Sequence, residues 1–159
     1  FHYLEYFLGR IKNIQCQLFS SEKSLNKGET SINMTILFEN GCMGNVNMDI
    51  SYSSQQKHTI EFFAEGGKII LKNISDSFVD NFELTVDTGQ KIQEIKPDNA
   101  LDTSHDKSED PRVKVIKPIA ERFLNWCNTG VNAKPDFEDG ARVQELIKMA
   151  RSSNSKFLA

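Results

Sequence analysis

INMTILFENGCMGNVNMDISY, residues 32–52, decides how the rest of the chain is read. Ile32, Met34, Ile36 and Phe38 alternate with Asn33, Thr35 and Leu37, so an extended segment here is apolar on one side and mostly polar on the other. Val46, Met48, Ile50 and Tyr52 repeat the pattern after Asn40-Gly41, a dipeptide that favours the positive φ angles of a tight turn. Two stretches of period two around such a turn predict an antiparallel hairpin.

The same grammar extends in both directions. Residues 14–19 predict a strand, separated from the hairpin by a polar loop over residues 20–30. HTIEFFA (58–64) and KIILK (68–72) flank a turn at Glu65-Gly66-Gly67, and residues 82–86 and 91–95 flank Asp87-Thr88-Gly89. Connections this short imply antiparallel pairing. Residues 97–112, PDNALDTSHDKSEDPR, predict a long surface loop, being polar, charged and bracketed by prolines.

The two ends read as helices. In FHYLEYFLG (1–9), Leu4, Phe7 and Leu8 recur at helical spacing and Gly9 is a natural stop. The stretch reads as if entered in the middle of a helix. Ile116, Ile119, Phe123, Trp126 and Cys127 predict a second helix capped by Gly130, with Pro118 fitting its first turn. Asp136, with Asp139 three residues on, starts a third, whose expected buried stripe is Ala141, Leu146, Ile147 and Ala150. A helix, a run of strands and two helices, without internal repeat, indicate an α+β fold. The expected architecture is an open, mostly antiparallel β-sheet with helices packed on one face and the other face available for oligomerisation.

Bulk properties bound the function. The 159 residues suit a single domain, and 38% hydrophobic content with eleven phenylalanines supports a packed core. A formal charge of −3 without a basic stripe argues against nucleic-acid binding. The apolar runs are too short to span a bilayer, so no membrane partner is expected. Cys16, Cys42 and Cys127 are few, odd in number and far apart, which suits free thiols in a reducing compartment and points to the cytoplasm. The sequons at Asn33 and Asn73 lie in or beside predicted strands and carry no glycosylation reading.

The chemistry is sparse. There is no G-x-G-x-x-G, no Walker loop and no nucleophile elbow, and no cysteine pair has ligand spacing. His2 and Glu5 share one face of the first helix at i, i+3. As metal ligands they would need a third group, from His58 or His105, that nothing places nearby, so no metal site is expected. His2 reads either as a satisfied histidine at a helix start or as an acid/base group, since imidazole changes charge nearest neutral pH. Glu5 reads either as a solvated surface charge or as a group that orients His2 or contacts substrate. Tyr3 and Tyr6 read as packing residues.

Four features together resemble the C-terminal domain of the glucose–fructose oxidoreductase / inositol dehydrogenase / MocA family. FHYLEYFLG looks like the family's G-x-H-x-x-D helix, which ends in Leu-Gly. INMTILFENGCMGNVNMDISY looks like its hairpin of two long strands, and HTIEFFAEGGKIILK like its next hairpin. KPDFEDGARVQELIKMARSS is similar to its closing Pro-x-x-x-x-Asp-Gly helix. The four occur in the family's order and cover nearly the whole chain.

The resemblance implies the substrate-binding and oligomerisation half of an NAD(P)-dependent oxidoreductase acting on a sugar or polyol. An N-terminal Rossmann domain, absent from this chain, would bind NAD or NADP and supply a lysine, so the 159 residues alone are not expected to be active. By the same resemblance His2 alone takes the acid/base or substrate-hydroxyl role; Glu5 stands where the family usually has Asp, keeping the charge but adding a methylene, and is retained as a candidate substrate contact. Self-association is expected through a sheet face left apolar by the strands at 32–38 and 46–52. The competing reading is a non-catalytic ligand-binding or assembly module of the same fold.

Overall fold

The computed structural model describes residues 1–20, 28–50, 57–75, 81–96, 110 and 112–154. Of the predicted loop at 97–112 only Asp110 and Arg112 fall among these, and Tyr52 and most of the loop at 20–30 lie outside the described residues. The elements run α1 (His2–Leu8), β1 (Ile11–Phe19), β2 (Ser31–Phe38), β3 (Met43–Asp49), β4 (His58–Ala64), β5 (Gly67–Asn73), β6 (Glu83–Asp87), β7 (Ile92–Ile95), α2 (Val113–Thr129) and α3 (Phe137–Ser152). Every strand pairing is antiparallel, and the strands form two open sheets, β1-β2-β3 and β4-β5-β6-β7. The chain divides into two compact units, Phe1–Ser53 with Asn132–Ala159, and Ser54–Val131.

The first unit is built on the period-two pattern of residues 32–38. Cys16 pairs with Met34 and Met34 with Val46, so the apolar positions of three strands line one face. A register shift between Ile11 and Asn13 gives β1 an extra residue. Ile11 and Ile14, three apart, are therefore both buried. The core is Ile11, Ile14, Cys16, Met34, Ile36, Phe38, Leu146 and Ala150, with Phe1, Leu4, Leu8 and Met149 partly buried against it. Thus α3, and the short α1 beside it, close over the apolar face. This revises the expectation of an uncovered apolar face on these strands: in the middle of the sheet that face is the covered one. The opposite face carries Gln15, Asn33, Thr35, Asn45 and Asn47, with a hydrogen bond of 3.1 Å from the Thr35 hydroxyl to the Asn45 side-chain oxygen. Apolar exposure on this sheet lies at its edges, at Met43, Met48 and Ile50 on and beside β3 and at Phe19 at the end of β1.

The turn at Asn40-Gly41 forms as expected, though as a four-residue connection. The Gly41 N–H donates to the Phe38 carbonyl and Gly41 takes a φ of 88°. Helix α3 starts as read: the Asp136 side chain accepts from the Glu138 and Asp139 N–H groups while the Asp139 carboxylate accepts from the Asp136 N–H. Of the expected buried stripe, Leu146 and Ala150 are buried, while Ile147 is half-buried and Met149 is the residue packed beside them on the core. Ala141 is exposed, and Arg142 takes the inward place at four-residue spacing with Leu146 and Ala150.

In the second unit, Ile60 pairs with Leu71 and Phe62 with Ile69 across a two-residue turn at Glu65-Gly66. Gly67 is required where β5 passes β6. Its φ is 136°, and a Cβ there would stand 2.0 Å from the Asp87 carbonyl oxygen. Helix α2 begins three residues earlier than Ile116, which leaves Pro118 inside it rather than at its start. The Asp110 carbonyl and side chain accept the Val113 and Arg112 N–H groups and extend the helix start backwards. Gly130 ends it in the left-handed conformation, donating to the Trp126 carbonyl at 2.8 Å.

Two substitutions test this packing. Leu146 is fully buried, so Leu146→Ala should cost about 2–5 kcal/mol in urea unfolding. Gly67→Ala should cost more than about 1 kcal/mol, because both φ and the neighbouring carbonyl oppose a side chain. Wild-type midpoints for either variant would contradict the packing described.

Candidate functional site

Helix α1 has seven residues, no side-chain N-cap and no fully buried residue, so it has little helical stability of its own. It is held by its surroundings. Leu4 and Leu8 rest on the core of the first unit. Gly9, at φ 82°, closes the last turn by donating to the Glu5 carbonyl at 3.0 Å. Asn40, from the turn between β2 and β3, donates through its side-chain nitrogen to the Leu8 carbonyl at 2.9 Å, and the Glu39 N–H donates to the Arg10 carbonyl at 2.8 Å. The asparagine that signals the hairpin therefore also satisfies a free carbonyl at the end of α1.

The strongest tie is made by Glu5. Its Oε1 accepts from the Ile11 N–H at 2.8 Å and from Arg142 Nη2 at 2.9 Å, and its Oε2 accepts from Arg142 Nε at 3.3 Å. Arg142 Nη2 also donates to the Ile11 carbonyl at 3.1 Å. The Arg142 and Glu5 side chains are only 20% and 16% exposed, so their charges are shielded from water and depend on each other. Partial burial pushes the Glu5 carboxyl up. The Arg142 and Ile11 hydrogen bonds, together with the Arg142 and Arg10 charges, outweigh it and hold the group below the ordinary glutamate value.

His2 stands one turn before Glu5, at the first residue of α1, and is exposed. No hydrogen bond or ion pair engages its ring among the described residues, and none joins it to Glu5. The sequence pairing of His2 with Glu5 is thus a shared helix face, with the carboxylate committed to Arg142 and Ile11. Tyr6 and, less fully, Tyr3 are exposed; the Tyr6 ring lies edge-on to Phe7 at 5.2 Å. His58 opens β4 and meets Phe82 edge-on at 5.9 Å, and His105 lies outside the described residues. No group of three His, Cys, Asp or Glu side chains gathers at one place among the described residues. All three cysteines are free, Cys16 buried and Cys42 and Cys127 exposed. No helix of the described residues is long and apolar enough to cross a membrane.

Arg142 is the residue that sequence reading missed at this site. Its signal was available: Arg142, Leu146 and Ala150 share one stripe of α3, and a cation on a core-facing stripe requires a buried partner.

Among the described residues no glycine-rich turn leads from a strand into a helix to cradle a pyrophosphate.

No family model matches the chain, and no curated protein matches it. Solved structures do. An oxidoreductase from Agrobacterium radiobacter, in complex with NAD+, L-tartaric acid and magnesium, superposes with a TM-score of 0.71 at 13% identity over 94% of this chain and 43% of its own. The WlbA dehydrogenase from Bordetella pertussis, in complex with NADH and UDP-GlcNAcA, gives 0.64 at 12% identity over 96% and 39%. Biliverdin reductase from Synechocystis, in complex with biliverdin and NADP+, gives 0.67 at 13% identity over 96% and 43%. The chain therefore has a fold found in NAD(P)-dependent oxidoreductases, and it spans about two fifths of the length of the solved structures it matches. That bears out the fold implied by the resemblance to the glucose–fructose oxidoreductase family.

The Glu5 geometry carries a pH prediction. A carboxyl whose folded pKa is depressed stabilises the fold fully above its unfolded value of about 4.3 and ceases to do so as pH falls through the lower folded value. The thermal midpoint of wild type minus that of Glu5→Gln should be large near neutral pH and shrink below about pH 4. A difference independent of pH would show that the Glu5 charge is not what holds the joint.

Proposed function

We propose that this chain is the C-terminal, substrate-binding part of an NAD(P)-dependent oxidoreductase acting on a hydroxyl or carbonyl of a sugar or polyol. The observation that carries the reading is His2: an exposed imidazole with no partner among the described residues, on a helix whose other end is tied down, at the position of the family motif's histidine. The shared fold supports it, and the bound UDP-GlcNAcA of the Bordetella enzyme is a sugar nucleotide of the expected class.

In this reading the dinucleotide is held by a preceding domain and supplies hydride transfer at the substrate carbon. The residues of this chain act on the oxygen. His2 takes the proton from the substrate hydroxyl during oxidation and returns it during reduction, a task for which an imidazole with a free ring nitrogen is suited. Fixing the ring by anchoring α1 gives the proton transfer its geometry. Glu5 acts chiefly as that anchor. Its Oε2, which carries one long bond, is the oxygen with capacity left to accept a substrate hydroxyl. Without the dinucleotide-binding part the chain is inactive. The protein works in the cytoplasm and associates with further copies through the polar face of the first sheet and the apolar residues at its β3 edge.

The second reading is a non-catalytic ligand-binding or assembly module of the same fold. Activity separates the two. The full-length protein is offered NAD+ or NADP+ with a panel of aldoses, polyols and sugar nucleotides, and reduced nicotinamide is followed by absorbance. Turnover is expected, with His2→Ala lowering kcat by roughly 10²–10⁴-fold. An unchanged rate at saturating substrate would remove His2 from the acid/base role, and no turnover with any member of the panel would favour the module.

A further inference from the structure

We propose that Arg142, on α3, is a positioning residue for His2: it holds Glu5 and the start of β1, and so fixes the turn of α1 on which His2 stands. The inference rests on the acid/base reading of His2 and extends it to a residue far away in sequence.

Helix α1 is too short to hold its own geometry, and its apolar contacts come from Leu4 and Leu8 on one side only. Contacts of that kind resist lifting but not sliding or rolling, because the hydrophobic effect has no direction. The joint at Glu5 supplies direction. Nε and Nη2 of one planar guanidinium meet the Glu5 carboxylate, and Nη2 also reaches the Ile11 carbonyl. Glu5 Oε1 in turn receives the Ile11 N–H. Three backbone segments, from α1, β1 and α3, are thereby tied through one rigid fork. Arg142 itself is seated by α3, whose Leu146 is fully buried in the core one turn further on. The third nitrogen, Nη1, engages Glu145 at 3.3 Å and steadies the guanidinium from the solvent side.

A lysine could supply the charge but not the fork. Loosening the joint lets α1 shift, and a displacement of the order of 1 Å at a reacting group can cost about 10²-fold in rate. The effect should fall on the chemical step, since His2 meets the substrate oxygen and the dinucleotide is held elsewhere.

The test uses the full-length enzyme with whichever alcohol of the panel it turns over fastest. Arg142→Leu, Arg142→Lys and His2→Ala are compared, with each Arg142 variant also combined with His2→Ala. In parallel the imidazole Cε1–H resonance of His2, assigned by its loss in His2→Ala, is recorded by NMR. Arg142→Leu should lower kcat by about 10–100-fold with the dinucleotide KM unchanged. Arg142→Lys should recover part of the loss, and the His2 resonance should shift or broaden in both. In the His2→Ala background neither Arg142 variant should cost anything further, because a positioning residue acts only through the group it positions.

Full multiplication of the Arg142→Leu and His2→Ala losses, or an unmoved His2 resonance, would overturn the positioning role and leave the acid/base role of His2 standing. A His2→Ala enzyme with wild-type turnover would overturn both. If Arg142→Leu fails to fold, Arg142→Lys, alone and with His2→Ala, separates the same outcomes through a milder change.

Discussion

One guanidinium links the parts of this protein that its candidate chemistry needs together. Arg142 lies on a core-facing stripe of α3, where a charge is tolerated only with a partner close by. That partner is Glu5, and the two are shielded enough for the pairing to specify position. Leu146 and Ala150 press α3 onto the first sheet. The Arg142 fork then converts that non-directional packing into a fixed placement of α1. Removing the apolar contact would free α3; removing the ion pair would leave α3 in place and free α1. The two interactions therefore serve different ends, stability in one case and geometry in the other.

This division suits the proposed role of His2, an exposed side chain nearly without support of its own. An imidazole that must meet a substrate has to remain open to solvent, so it cannot be held by burial. What holds it must lie behind it. Here the support is layered: Asn40 and Gly9 close the C-terminal end of α1, Glu5 ties its middle to β1, and Arg142 ties Glu5 to α3. The hairpin turn at Asn40-Gly41 thus has a role beyond joining two strands.

The likeness to oxidoreductases whose solved complexes hold a hydroxy acid, a sugar nucleotide and a tetrapyrrole separates fold from substrate. One scaffold occurs in complexes with very different molecules, so the strand order by itself does not name a substrate. For this chain the proposed sugar or polyol substrate accordingly rests on the motif around His2 and not on the fold.

Much of this was legible in the sequence. Period two at residues 32–38 and from Val46 onward marked strands and their faces, and Gly9, Gly130 and the Asp136–Asp139 pair marked helix ends, because each of these signals depends on neighbours a few residues apart. Strand ends were less legible: β1 begins at Ile11 because a bulge carries the pattern past a break in alternation. Within α3, a spacing of four instead of five put Arg142, and not Ala141, on the inner stripe. What tertiary structure alone decided was which sheet face the helices cover, how the strands divide between two sheets, and what Glu5 does. The last is the clearest case. The atoms that claim its carboxylate come from the start of β1 and from a residue 137 positions away, and only the packing of α3 on the core of the first unit brings that arginine within reach.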